Sequence, residues 1–188
     1  MQAARGASLT SDPTSSPTPA TRRGPRLAVF AAVAVLGYSG DLVSKVLAVR
    51  HLQPGHSVSV VGDLLTLYIA RNPGAAFSTG TSYTVLLSCI AIAATLVVLW
   101  TARRVRSTAW AVALGFLLAG VLGNLTDRVF REPGVLRGHV VDFLRLPHWP
   151  IFNVADVCIN VAAALIIIQA LRGVGVDGRR GDKGADAA

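Results

Sequence analysis

Phe152–Leu171, FNVADVCINVAAALIIIQAL, decides the class of fold. It matches the ~20 residues that a helix needs to cross the bilayer core, and nearly all of it is apolar. The exception that matters is Asp156. A carboxylate at the edge of the hydrocarbon is costly to keep and usually faces a bundle interior or a cavity, so its default reading is functional. A second aspartate, Asp142 in Val140-Val-Asp-Phe143, lies a short way upstream, near the end of an apolar segment. Two such acids in one short stretch point to shared acid/base work.

The rest of the chain supplies three comparable runs: Leu27 to Val49, Tyr83 to Trp100, and Ala109 to about Val129. Apolar residues make up 52% of the 188 and charged residues 15%, and the mean hydropathy is +0.53, so a soluble domain is excluded in favour of one integral membrane domain. The net charge of +8 would fit a nucleic-acid partner, but the basic residues are placed otherwise. Arg22, Arg23 and Arg26 precede the first span, Arg103, Arg104 and Arg106 follow the second, and Arg172, Arg179, Arg180 and Lys183 follow the fourth. The positive-inside rule then puts both termini in the cytoplasm and Arg50–Ser82 and Phe130–Ile151 outside. Arg128, Arg131, Arg137 and Arg145 run against that tendency and are candidates for a site or for anionic headgroups.

Residues 1–26, rich in Ser, Thr, Pro and Ala, and residues 173–188, Gly-rich and charged, are expected to be disordered cytoplasmic tails around a membrane domain at 27–172. A cleaved leader ending near Ser39 and Gly40 is disfavoured, because the apolar pattern continues through Val46–Val49 and completes a span. Cys89 and Cys158 fall inside spans and are expected to be small packing residues. Ser57 to Phe77 has the texture of strands, with Val58, Val60, Leu65, Leu67 and Ile69 in register and Gly62-Asp63 as a hairpin turn. A small sheet over the membrane surface is the expected result.

Polar residues inside the spans fall into stripes at helical spacing: Gly37, Asp41 and Lys45; Gly120, Asn124 and Asp127; Asn153, Asp156 and Asn160. Three helices thus each offer one wet face, and the faces are expected to meet. Asp41 and Lys45 are expected to form an internal ion pair. Asp127 and Arg128 would form an interfacial clamp, with structural and functional roles both open, and Asn124 and Asn160 would tie helices together. His51, His56, His139 and His148 lack any strong zinc spacing, so no metal is expected. An alternative reading, a proton-coupled transporter, would use Asp41, Asp127, Asp142 and Asp156 as a relay. It would want acids spread through the membrane depth, whereas three of these cluster toward one face.

Five segments together resemble the lipoprotein signal peptidase family, signal peptidase II. They are Asp41-Leu-Val-Ser-Lys45, Arg71-Asn-Pro-Gly-Ala-Ala-Phe-Ser78, Gly120-Val-Leu-Gly-Asn-Leu-Thr-Asp-Arg128, Val140-Val-Asp-Phe143 and Phe152-Asn-Val-Ala-Asp156. The resemblance covers about Leu27 to Leu171. It departs in a long stretch between Asn124 and Asp142 and in Ser44, where the family often has threonine. It implies an all-α membrane protein of four transmembrane helices with a small extracytoplasmic β-structure, in the bacterial cytoplasmic membrane. The implied activity is that of an intramembrane aspartic endopeptidase that cuts diacylglyceryl-modified prolipoproteins before the lipidated cysteine. The implied catalytic pair is Asp142 and Asp156. Asn72, Asn124, Arg128 and Asn153 would hold substrate or brace the pair, and Asp41, Lys45 and Asp127 would be structural. No cofactor or nucleic acid is implied, membrane lipid is a partner, and the enzyme is expected to be a monomer.

Overall fold

The first apolar run folds as one uninterrupted helix, α1 (Gly24–His51), which passes through Ser39 and Gly40 without a break. This is seen in a computed structural model that describes residues 24–74 and 82–180. Residues 1–23 and 181–188, most of the two expected tails, lie outside the described residues, as do 75–81 with Ala75, Ala76, Phe77 and Ser78. The order continues with β1 (Val58–Val61), β2 (Leu65–Asn72), α2 (Ser82–Ala102), α3 (Thr108–Phe130), β3 (Val140–Arg145) and α4 (Val154–Leu171). All four helices are long and apolar enough to cross a membrane. Their outer faces expose Val35, Leu36, Leu96, Val97, Ile167 and Leu171, a surface suited to lipid and not to water.

The strands form one antiparallel sheet in the order β1-β2-β3. The hairpin turn is where the sequence places it, with Gly62 at φ 49°, a left-handed conformation that glycine adopts without strain. The third strand is a departure. Val140–Phe143 belongs to no span; it pairs with β2 through Ala70↔Asp142, Arg71↔Val141 and Asn72↔Val140. Pro147 and Pro150 separate it from the fourth apolar run, and α4 begins only at Val154. Asp142 therefore stands on a sheet outside the bilayer-crossing helices, while Asp156 stands in the first turn of one.

Helix α3 is the centre of the bundle, packed on α1, α2 and α4. At the end of the bundle away from the sheet, Phe30, Ala34, Val98, Val105, Leu114 and Leu118 form a buried cluster. Toward the sheet, close approach replaces bulk, as is usual where helices pack without a hydrophobic driving force between them. A Cβ built on Gly120 would overlap the Ala155 carbonyl oxygen and Ile159, and one on Gly123 would overlap the Asp41 carboxylate. Gly120→Ala is accordingly expected to push α4 off α3 and lower stability by about 1–3 kcal/mol, the usual cost of overpacking. A drop in unfolding temperature in detergent is the measurement; an unchanged midpoint would refute the close approach.

Two tail expectations are corrected within the described residues. Gly24–Arg26 are already helical. Residues 173–180 fold back on the α2–α3 turn, with Val174 bridging to Arg180. The Arg106 backbone N–H donates to the Val176 carbonyl at 3.0 Å, and the Trp110 indole N–H donates to the Val174 carbonyl at 2.9 Å. The Gly-rich composition hid this turn, because its stabilising partner is a tryptophan sixty-odd residues earlier in the chain.

Candidate active site

Asn153 is the residue on which the two acids meet. It is fully buried and caps α4: its side-chain oxygen accepts from the Asp156 backbone N–H at 3.0 Å, and the Asp156 carboxylate accepts from the Asn153 backbone N–H at 3.1 Å. This reciprocal capping satisfies two donors that a helix start otherwise leaves open. The Asn153 amide nitrogen then reaches the other acid, donating to Asp142 Oδ1 at 2.6 Å. Asp142 Oδ2 accepts from the Asn72 amide at 3.0 Å. Asp156 Oδ1 accepts from the Asn124 amide at 2.9 Å. The sequence candidates Asn72, Asn124 and Asn153 are thus brought onto Asp142 and Asp156, and each of the three touches one or both carboxylates.

Behind them lies a buried cluster of charges. The Lys45 ammonium, with no solvent exposure, is 2.8 Å from Asp41, 2.9 Å from Asp127, and donates to Asn124 Oδ1 at 3.0 Å. The expected Asp41–Lys45 pair is therefore present, but as part of a larger group. Each outer member of the group grips an acid-bearing element beside its aspartate. Asp41 Oδ1 accepts the backbone N–H of Ala155 at 2.8 Å, next to Asp156. Asp127 Oδ2 accepts that of Val141 at 3.2 Å, next to Asp142. These two backbone grips were not foreseen, since nothing in a sequence marks which amide a buried carboxylate will meet.

Other candidates fare differently. Asp127 makes no pair with Arg128; it pairs with Arg131 and Lys45. Neighbours on a helix point about 100° apart, whereas residues four apart share a face, so the i,i+4 partner wins. Arg128 lies against Gly74, and among the described residues its Nη1 is buried without a hydrogen-bond partner. Asn160 ties no helices together: it is exposed, and its amide donates to the Asp156 carbonyl of its own helix at 2.9 Å. Cys158 is buried as expected, whereas Cys89 is exposed on the outer face of α2.

Asp142 is 3% exposed, and burial pushes its carboxyl above the ordinary aspartate value to about 6; the Asp156 charge adds to the rise, and the Asn72 and Asn153 amides oppose it. Asp156 sits in the first turn of α4. Two carboxylates held on one asparagine, one of them raised by burial, are an arrangement suited to general acid/base chemistry on a polar bond.

Comparison with known proteins gives this arrangement a family. A family model described as signal peptidase (SPase) II matches residues 33–172. The chain belongs to the signal peptidase II family. A lipoprotein signal peptidase of Leifsonia xyli is 46% identical over 185 residues, covering 96% of this chain and 86% of the relative. One from Mycobacterium tuberculosis (strain ATCC 25618 / H37Rv) is 48% identical over 157 residues, covering 82% and 78%. Among solved structures, a bacterial membrane enzyme superposes with a TM-score of 0.70 at 27% identity, covering 84% of this chain and 94% of the other. A second superposes at 0.69 with 29% identity, covering 77% and 94%. The signal peptidase II family removes signal peptides from prolipoproteins, and this chain is a multi-pass membrane peptidase of that family. All the polar groups that converge on Asp142 and Asp156 lie within the matched stretch.

Proposed function

We propose that Asp142 and Asp156 are the catalytic pair of an aspartic endopeptidase that cuts diacylglyceryl-modified prolipoproteins just before the lipidated cysteine. The observation that carries this reading is the double engagement of Asn153, which holds both carboxylates. In its active form the pair shares one proton and one negative charge, and the step begins with the proton on Asp142. A water between them gives a proton to Asp156 as its oxygen attacks the scissile carbonyl. Asp142 donates its proton to the carbonyl oxygen, so no full oxyanion accumulates. The tetrahedral species collapses as the leaving nitrogen takes the proton from Asp156 and Asp142 regains one from a hydroxyl, restoring the starting state. No step calls on a metal or a covalent intermediate.

Residues 27–172 form the peptidase domain. The distribution of arginines supports cytoplasmic termini and a site opening toward the extracytoplasmic face of a bacterial cytoplasmic membrane. That side suits a substrate whose mature part is exported and whose lipid chains stay in the bilayer. In this reading Asn72, at the start of the Asn-Pro-Gly turn, and Arg128, against Gly74, hold substrate backbone or brace the pair.

The test is incubation of the purified protein with a diacylglyceryl-modified prolipoprotein peptide and with the same peptide lacking the lipid. Signal-peptide release from the first only is expected. The rate should be bell-shaped in pH: acid protonates both carboxylates, and base strips the shared proton, with the alkaline limb governed by the raised Asp142. EDTA should leave the rate intact. Loss in EDTA that zinc restores would overturn the aspartic mechanism.

A further inference from the structure

The β1–β2 hairpin carries apolar side chains where a hairpin standing in water carries polar ones. All four residues of β1 are exposed, and among the large apolar side chains of the hairpin the most exposed are Val60, Val61 and Leu64, at 53%, 55% and 63%. A register shift between Ser59 and Val61 leaves Val60 out of the pairing, while Val61 pairs with Leu65 beside the turn. Trp149, also exposed, lies at the same end of the sheet. Thr66 pairs with Arg145, and Asp63 of the turn shares a cavity of about 310 Å³ with Arg145, Leu146 and Pro147. Aliphatic tips, a tryptophan and an arginine together match what is found at the boundary between lipid and water.

The packing of β2 on α1 says at what height the sheet lies. Leu67 shares an apolar cavity of about 340 Å³ with Ser44, Leu47, Ala48, His51 and Leu52, and Ile69 and Arg71 share another with Val49, Leu52 and Pro54. Both cavities reach the last turn of α1, so β2 lies against the stretch from Ser44 to Leu52 at the end of that helix, and the hairpin is held at that height. The scale fits. At 1.5 Å per residue the 28-residue α1 is about 42 Å long, against ~30 Å of hydrocarbon, and Ser44 lies roughly 10 Å short of His51, at or just inside the hydrocarbon edge.

We propose that the tip of the β1–β2 hairpin, Val60, Val61 and Leu64, is seated with Trp149 in the lipid surface on the Asp142 side of the bilayer. The partner is the boundary between headgroups and acyl chains. Deeper insertion would strand the unpaired backbone of edge strand β1 in hydrocarbon, where nothing can satisfy it. A protein partner adding a strand is disfavoured by the same edge, which is only four residues long and irregular. Anchoring this end fixes the height of the sheet, and with it Asp142 on β3, relative to the surface. The inference needs only the membrane-spanning frame and not the assignment of the catalytic pair.

The experiment places a nitrobenzoxadiazole label at Val61→Cys or Leu64→Cys in a Cys89→Ala background, leaving the buried Cys158 unlabelled, with Gln53→Cys as the reference just beyond α1. The proteins are reconstituted in phosphatidylcholine/phosphatidylglycerol vesicles, with and without brominated acyl chains, and unfolding temperatures confirm that each is folded. Both tip labels are expected to be quenched by brominated lipid about twofold or more beyond the Gln53 label and to be shielded from iodide. Full quenching by iodide with no effect of bromine would show a hairpin standing in water and overturn the proposal. Protection from both quenchers would mean that protein, such as a second copy of the chain, covers the tip, and would overturn it equally.

Discussion

Asp142→Asn is expected to lose signal-peptide cleavage by roughly a thousandfold or more, because the amide can neither hold nor return the shared proton. Its fold should survive, and the pH dependence of its stability gives an independent check. The folded protein raises the Asp142 carboxyl to about 6 from an ordinary value near 4, so between those values the native state binds more protons than the unfolded one. Stability contributed by this group is therefore present at low pH and lost as pH rises through about 6, by up to about 3 kcal/mol. Asparagine carries no such cost. It does set its amide against the donors from Asn72 or Asn153, which costs about 1–3 kcal/mol at any pH. The difference in unfolding temperature between variant and parent should therefore move in favour of the variant between pH 5 and pH 7.5. A difference independent of pH would mean that the buried carboxyl is not perturbed. Asp156→Asn should be as inactive, and its loss of a capping acceptor should lower stability modestly.

The legibility of this fold in the sequence depends on the range of the interactions involved. The spans follow from apolar runs of sufficient length, a property that lipid enforces on every residue of a crossing helix, and so they are visible without knowing any partner. The hairpin turn is equally local, resting on Gly62-Asp63. The capping of α4 had a local mark as well: Asn153 and Asp156 stand three apart at the head of an apolar run, the spacing of a reciprocal cap. Strand β3 had no such mark. Val140–Phe143 is too short to show a period, and its strand character comes from pairing with β2, some seventy residues earlier. The site divides in the same way. The acids and their asparagines stand out because each is an anomaly in an apolar context. The grips of Asp41 on Ala155 and of Asp127 on Val141 do not, since any backbone amide is a donor and only the folded chain selects which one is met.

Lys45→Met should be the most destabilising single change in the protein. It leaves Asp41 and Asp127 buried, 1% and 2% exposed, without the cation that both face, and breaking a buried pair from one side costs about 3–5 kcal/mol. Against a total stability of order 5–15 kcal/mol, that should appear as a large drop in unfolding temperature and in yield of folded protein. Asp127 keeps Arg131 and the Val141 N–H, so Asp41 is the carboxylate left worse off. Adding Asp41→Asn to Lys45→Met is therefore expected to recover part of the lost stability, since the asparagine oxygen can still accept from Ala155 while the stranded charge is gone. Activity should not return in step. Lys45 also donates to Asn124, which in turn donates to Asp156, and a thioether side chain cannot replace that donor. A double variant that regained both stability and full cleavage would show that the lysine serves the fold alone. One that refolds but cleaves several-fold more slowly would place Lys45 in the chain of contacts that aims Asp156 at its water.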